Sequence, residues 1–205
     1  MTDVRRANES GEGVAFVRPP GVPEAGRLVG RDVHLYPVTP DDHAFLYFVA
    51  TADDTCLRWR FRGIIPPYEA FVQQLHSGVL CQFVARSNSD ASRVGHVVCY
   101  GADLRDRVAF VGLVMAPVAL GQRLGSEAGA LFVEYLFRNW DLRKLYFEVP
   151  EYTLQGIYSH MMPFVRQEGV LVDHAYTDGR YWDQYILAVY RDDWEKMWPK
   201  RGDSI

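Results

Sequence analysis

The sequence predicts one domain of mixed class, α/β in content and α+β in arrangement: a mixed, mostly antiparallel sheet of six to seven strands with about four helices. Three observations carry that expectation. Apolar, β-rich runs follow one another at Cys81–Ser87, Val94–Tyr100 and Val108–Met115, separated by polar turns. A long amphipathic stretch, Leu124–Asn139, joins the third run to another at Lys144–Val149, so a right-handed crossover makes those two strands parallel. Runs at Val170–Tyr176 and Tyr181–Tyr190 flank the turn Thr177-Asp178-Gly179-Arg180 and close the chain as a hairpin.

Each element has its own signal. Residues 1–27 combine Arg5, Arg6, Asn8 and Glu9 with the Pro19–Pro23 cluster and show no hydrophobic period, which reads as a flexible tail. Val33–Val38 reads as a strand, and Pro40-Asp41-Asp42 opens a helix carrying Phe45, Leu46, Phe48 and Val49, with the acidic pair as a cap. A second helix is expected over Pro67–Ser77, ended by Gly78. Asn88–Ser92 has hairpin chemistry between the first two β-rich runs. Pro117 breaks the third run. In the long helix, Leu124, Ala128, Leu131, Phe132, Tyr135 and Leu136 fall at i, i+4, i+7, i+8, i+11 and i+12, one stripe for packing on the sheet. A weaker helix follows from Thr153 to about Met162, and the stretch from Trp194 reads as a short polar tail. The expected organisation is a tail at 1–27, a domain at 28–195 and a tail at 196–205.

Composition narrows the classes. With 205 residues, 48% of them hydrophobic, one substantial core is available. A net charge of -4 gives no global attraction to nucleic acid or anionic membranes. Cys56, Cys81 and Cys99 lack metal or redox spacing and read as reduced core thiols. No His/Asp/Glu cluster has metal-ligand spacing, so no metal is expected. No apolar run approaches the ~20 residues that span a bilayer, and Met1–Gly11 lacks a signal-peptide core, so a cytoplasmic protein is expected.

Chemistry concentrates at the turn after Met115. A strand, a glycine-bearing turn and a helix start form an anion site, because the first helical amides lack internal partners and the helix dipole adds positive potential. Those amides belong to Gln122, Arg123, Leu124, Gly125 and Ser126; Gly121 and Gly125 permit close approach, and Arg123 offers a charge-assisted hydrogen bond. A tight turn with no ligand is the plainer reading of the two glycines alone.

The order of elements, together with Val114–Pro117 leading into Gly121–Ala128, Leu142–Val149, and Glu168–Leu171 followed by Tyr176–Asp183, resembles the GNAT acyltransferase superfamily. The resemblance lies with the branch of ribosomal-protein N-terminal acetyltransferases and antibiotic-modifying N-acetyltransferases, and spans about Arg31 to Trp194. It implies splayed central parallel strands, an acetyl-CoA or other acyl-CoA donor, and a primary amine acceptor on a small molecule or peptide. In that family the loop reads Gln/Arg-x-x-Gly-x-Gly/Ala. Here Leu120 takes the first position and Arg123 the first glycine, and only Gly125 matches. Either Arg123 points outward and clamps a phosphate from the side, or the donor is not an ordinary acyl-CoA.

The resemblance also implies that backbone N–H groups of Leu113, Val114 and Met115 bind the donor arm and polarise its carbonyl. The family's usual acid, a tyrosine, falls on His160, with Tyr158 two residues short of it. His160 suits acid or base work by its pKa and equally suits a surface or capping position; Tyr158 reads more simply as core. Glu148 alternates with Phe147 and Val149, so it faces the open cleft as base or amine anchor, or stands as a solvated carboxylate. Asp173 and His174, being neighbours on a strand, point to opposite faces and form no dyad. Tyr176, Tyr181, Trp182 and Tyr185 either wall an acceptor pocket or, more simply, pack across the hairpin.

Three functions compete. The first is an acyl-CoA-dependent N-acyltransferase. The second keeps the fold and takes an aminoacyl-tRNA donor, as in natural-product biosynthesis, with Arg138, Arg143, Lys144 and Arg166 as phosphate contacts. The third is a catalytically silent binding module. A homodimer is compatible with all three.

Overall fold

The computed structural model describes residues 27–52, 59–120, 123–155 and 165–197. Its strands are β1 (Leu28–Val29), β2 (Val33–Pro37), β3 (Val79–Ser87), β4 (Arg93–Asp103), β5 (Val108–Met115), β6 (Lys144–Pro150), β7 (Val165–Thr177) and β8 (Arg180–Tyr190). They form one sheet in the order β1-β2-β3-β4-β5-β6-β8-β7. Every neighbouring pair is antiparallel except β5 and β6, which are parallel as the crossover argument requires.

The sheet has eight strands rather than six to seven. The extra one, β1, is two residues long and pairs Leu28 with Leu35 and Val29 with His34, too short to show a period. β7 also starts at Val165 instead of Val170, because a register shift between Gln167 and Gly169 breaks the alternation that would mark it.

The helices are α1 (His43–Thr51), α2 (Tyr68–Gln74), α3 (Leu124–Asn139) and α4 (Arg191–Met197). α3 occupies the residues its apolar stripe specifies, with Ala128, Phe132 and Leu136 fully buried. It packs on the sheet face that carries Phe83, Val97, Ala109, Leu145 and Leu187. α1 and α2 pack on the opposite face, where Leu46, Ala50, Phe71 and Leu75 gather around Val84.

Asp42 starts α1 and does more than cap it. Its carboxylate accepts the Thr39 N–H at 2.9 Å and the Thr39 hydroxyl at 2.7 Å. Its other oxygen takes Arg86 at 3.0 Å and Arg93 at 2.7 Å, so a fully buried acid ties α1 to β3 and β4. Burial alone would raise its pKa; the hydrogen bonds from Arg93 and Thr39, with the Arg86 charge, outweigh that and lower it.

The end of the chain is not a polar tail from Trp194. α4 buries the Trp194 indole, which donates to Glu134 at 2.9 Å. Just before it, the Arg191 guanidinium donates to the carbonyls of Phe137, Trp140 and Leu142, which caps the C-terminal end of α3 with a cation. Cys81 and Cys99 are free thiols facing each other across β3 and β4. The contact with Cys81, and then burial, push the Cys99 thiol far up, so it stays protonated. Cys56 lies outside the described residues, as do residues 1–26 and 198–205.

Candidate functional site

The site is built around a gap between two parallel strands. β5 and β6 pair only over Val108, Ala109 and Phe110 against Lys144, Leu145 and Tyr146, yet β5 continues to Met115 and β6 to Pro150. On its other side β5 pairs with β4 in unbroken register from Phe110 to Met115, and the Ala116 N–H donates to Val94 at 2.8 Å. Backbone groups alternate along a strand, so Gly112 and Val114 turn theirs toward β4. Val111, Leu113 and Met115 therefore present N–H and C=O along the edge that β6 has left. At the root of the strand that edge is used, where the Arg143 N–H donates to the Arg107 carbonyl at 2.7 Å. Of the three residues expected to bind a donor arm, Leu113 and Met115 have amides on the open edge. Val114 spends its groups on β4, and its side chain packs with Val49 and Ala116.

The open edge leads to the start of α3. Arg123 is its N-cap, and the first intrahelical bond runs from the Glu127 N–H to the Arg123 carbonyl at 3.2 Å. The amides of Leu124, Gly125 and Ser126 precede that bond and lack helical partners. A Cβ on Gly125 would lie 3.1 Å from Met115 Cγ, so the helix start sits hard against the end of β5. The two sets of amides are thereby neighbours. Arg123 is exposed, as its outward-pointing alternative requires, and the Glu127 carboxylate is turned aside to accept the Arg31 and Asp32 N–H groups. Gly121 and Gln122 lie outside the described residues.

Where the pairing ends, the sheet face on the α1 side opens into a depression of about 400 Å³ lined by Phe110, Tyr146, Glu148, Glu168, Gly169 and Ile186. Phe110 and Tyr146 give it an aromatic floor, and Tyr100 continues the stack beside it. Tyr100, Phe110 and Tyr146 come from β4, β5 and β6 and stack with centroids 5.7 and 5.3 Å apart. Glu148 faces this cleft, as alternation along β6 predicts. The Tyr100 hydroxyl donates to its carboxylate at 3.3 Å, and Arg62 reaches it at 4.0 Å. Burial first, then the Glu148 charge, push the Tyr100 pKa up to about 12, so that hydroxyl remains a donor.

The second carboxylate is saturated. Glu168 accepts Lys144 Nζ at 2.9 and 2.7 Å and the Tyr190 hydroxyl as well. Burial would raise its pKa, but Lys144 and Tyr190 lower it on balance. Lys144 also lies 4.6 Å from the Tyr146 ring centroid.

His96 sits on the same face, buried beneath Trp59 at a centroid distance of 6.0 Å, with its Nε2 3.0 Å from the Gln82 carbonyl oxygen. Burial, and then the Arg60 charge, lower its pKa to about 3, which keeps it neutral. Trp59 presses on β5 where only glycine fits, since a Cβ on Gly112 would lie 2.7 Å from the indole.

Other candidates fall elsewhere. Residues 151–155 are helical and Thr153 donates to the Pro150 carbonyl, but Tyr158 and His160 lie outside the described residues. Tyr176 and Tyr181 pack on each other at the exposed tip of the hairpin, 5.0 Å apart. Trp182 stacks with Arg180 and meets Tyr152, while Tyr185 joins the core on the α3 side. None of the four lines the depression, and only Tyr176 and Tyr181 pack across the hairpin. Asp173 and His174 are both exposed. The cations considered for tRNA are engaged: Arg138 by Glu134, Lys144 by Glu168, Arg166 by Asp193, and Arg143 by the Asp106 carbonyl. Among the described residues no group of three or more His, Cys, Asp or Glu is placed to hold a metal, and no helix is long and apolar enough to cross a membrane.

Sequence reasoning missed Tyr100, Phe110 and Glu168. Alternation placed Tyr146 with Glu148 on one face, but only the register across β4, β5, β6 and β8 brings the others to them.

No protein-family model matches the sequence, and no curated protein matches it. Solved structures do. The spermidine N-acetyltransferase of Vibrio cholerae in complex with CoA and spermine superposes with a TM-score of 0.70 at 17% identity, covering 80% of this chain and 98% of that one. A chimera of the Vibrio cholerae enzyme SpeG with hSSAT gives a TM-score of 0.67 at 17% identity, over 81% of this chain and 99% of that one. With the parted β5–β6 pair, this likeness shows that the chain has the fold of the GNAT acetyltransferases.

Proposed function

We propose that this protein transfers an acyl group, most simply acetyl, from an acyl-CoA to a primary amine. The observation that carries the reading is the edge of β5 that β6 leaves beyond Phe110 and no other described strand pairs, whose Leu113 and Met115 amides run up to the first-turn amides of α3. That arrangement fits a ligand with an amide-bearing arm and a pyrophosphate: strand-edge groups for the arm, first-turn amides and the exposed Arg123 for the phosphates. An acyl-CoA supplies the activated thioester carbonyl. The Vibrio cholerae structure in complex with CoA and spermine lends support by its shared fold.

The chain's own groups then have distinct tasks. Leu113 or Met115 donates an N–H to the carbonyl oxygen, stabilising charge that develops there. Glu148 anchors the incoming ammonium and accepts its proton, and the amine nitrogen forms the C–N bond as the C–S bond breaks. The departing sulfur takes a proton from an acid, for which His160 is the candidate, with Tyr158 as its neighbour. An aminoacyl-tRNA donor is less favoured, because Lys144 is held in a largely buried pair with Glu168, and Arg138 and Arg166 are already matched by Glu134 and Asp193 at the surface. In this reading the protein works where acyl-CoA is held, in the cytoplasm.

Calorimetric titration with acetyl-CoA tests the proposal. Binding is expected, weakened by Arg123→Ala, with turnover of an amine panel reduced by His160→Ala. No binding at millimolar acetyl-CoA sinks it and leaves the silent binding module.

A further inference from the structure

The depression at Glu148 has a charge pattern that restricts what sits in it. Two carboxylates line it, but only one is available. Glu168 is matched by Lys144, whose side chain is 8% exposed and makes two hydrogen bonds to it, and by the Tyr190 hydroxyl. Arg166 lies over the Tyr190 ring at 4.6 Å and is paired with Asp193, so both cations at this end of the cleft are matched by carboxylates. Glu148 differs. Its side chain is 29% exposed, Tyr100 donates one long hydrogen bond to it, and among the described residues the cation paired with it is Arg62, 60% exposed and 4.0 Å away. A solvated guanidinium at that distance yields readily to a closer cation.

The remaining lining is flat and apolar. Phe110 and Tyr146 lie 5.3 Å apart with their planes within 30°, and Ile186 and Gly169 complete the wall without a charge. Ring faces attract both an ammonium and another aromatic surface.

We infer that the acceptor bound at Glu148 is a singly charged amine carried on a flat apolar body, and not a polyamine. The ammonium pairs with Glu148 and the body stacks on Phe110 and Tyr146. A second ammonium further along the cleft would meet a Glu168 already matched by Lys144 and the Tyr190 hydroxyl, and would have to compete with that ammonium for the carboxylate. The inference deepens the acyl-transfer reading and rests on it only for the fate of the amine. Occupancy of the cleft is a separate property.

Equilibrium titration of the full chain with 2-phenylethylamine and with spermidine, each without donor and with CoA added, tests it. 2-Phenylethylamine is expected to bind at least about tenfold more tightly than spermidine. Glu148→Gln is expected to cut its affinity about tenfold and Arg62→Ala to raise it, while both variants keep the native melting temperature. Equal or tighter binding of spermidine overturns the inference, as does an affinity that Glu148→Gln leaves unchanged, or no binding of either amine under both conditions. Because the first titration contains no donor, amine discrimination without acetyl-CoA binding would overturn acyl transfer alone. Acetyl-CoA binding and turnover with spermidine preferred would overturn this inference alone.

Discussion

The two faces of the sheet are made by alternate residues of the same strands, and they have opposite chemistry. On the α3 side, Val97, Ala109, Leu145 and Leu187 are completely buried and purely hydrocarbon. Their chain neighbours on the other side are His96, Phe110, Tyr146 and Ile186, with Glu148 and Tyr100 close by. Among the described residues α1 and α2 cover that second face over Val84 and Val114, and the depression opens where they stop. The α3 face is core along the whole of these strands, and the opposite face is core only under α1 and α2, so beyond them it is free to hold titratable and aromatic groups without loss of the fold.

The largest test of that contrast is on the buried face. Phe132 is fully buried, with its ring 5.9 Å from Phe83. Phe132→Ala is expected to cost about 3–5 kcal/mol in urea unfolding, through lost transfer energy and the cavity left behind. A loss under about 1 kcal/mol would mean that α3 does not close the core.

A smaller effect is expected from Asp42, the buried acid on the cleft side. Its two arginine partners are 27% and 35% exposed and can be resolvated, so Asp42→Asn is expected to cost about 1–3 kcal/mol, below the full value for a buried pair. The pH dependence has a defined sign. Asp42 is held below its ordinary value of 3.8, so the unfolded chain takes up the proton first. Its contribution is present above that value and is lost as pH falls through the lower folded pKa. Urea unfolding of the wild type is expected to weaken steeply below about pH 4, and Asp42→Asn to flatten that slope. An unchanged slope would remove Asp42 from the account of acid stability.

Legibility followed the same division. The α3 face was readable because a period of 3.6 residues repeats through Leu124–Asn139: Ala128, Phe132 and Leu136 of the expected stripe are buried, with Val133 and Phe137 beside them in place of the half-buried Leu131 and Tyr135. The helix start at Leu124 and Glu148 as a cleft residue were readable too, since each depends on local pattern alone. The aromatic floor was not, because Tyr100, Phe110 and Tyr146 meet only through the register of three strands. Lys144 was misassigned for a related reason. Sequence shows a cation beside Arg143, and only folding reveals Glu168 from β7 beneath it. Trp194 was hidden by the shortness of α4, seven residues with one buried side chain.

The smallest effect tests the cleft face directly. Tyr100→Phe keeps the stacked ring and removes one hydroxyl, whose bond to Glu148 is long at 3.3 Å and whose acceptor is partly solvated. Water can replace the lost donor, so the expected cost is about 0.5 kcal/mol or less, a melting shift of about 1–2 °C for a chain of this size. The same change withdraws a hydrogen-bond donor from Glu148 and leaves that carboxylate oxygen open to an incoming ammonium. Amine affinity should therefore shift while stability holds. A destabilisation of Tyr100→Phe as large as that of Phe132→Ala would break the contrast between the faces, because the cleft would then be part of the structural core.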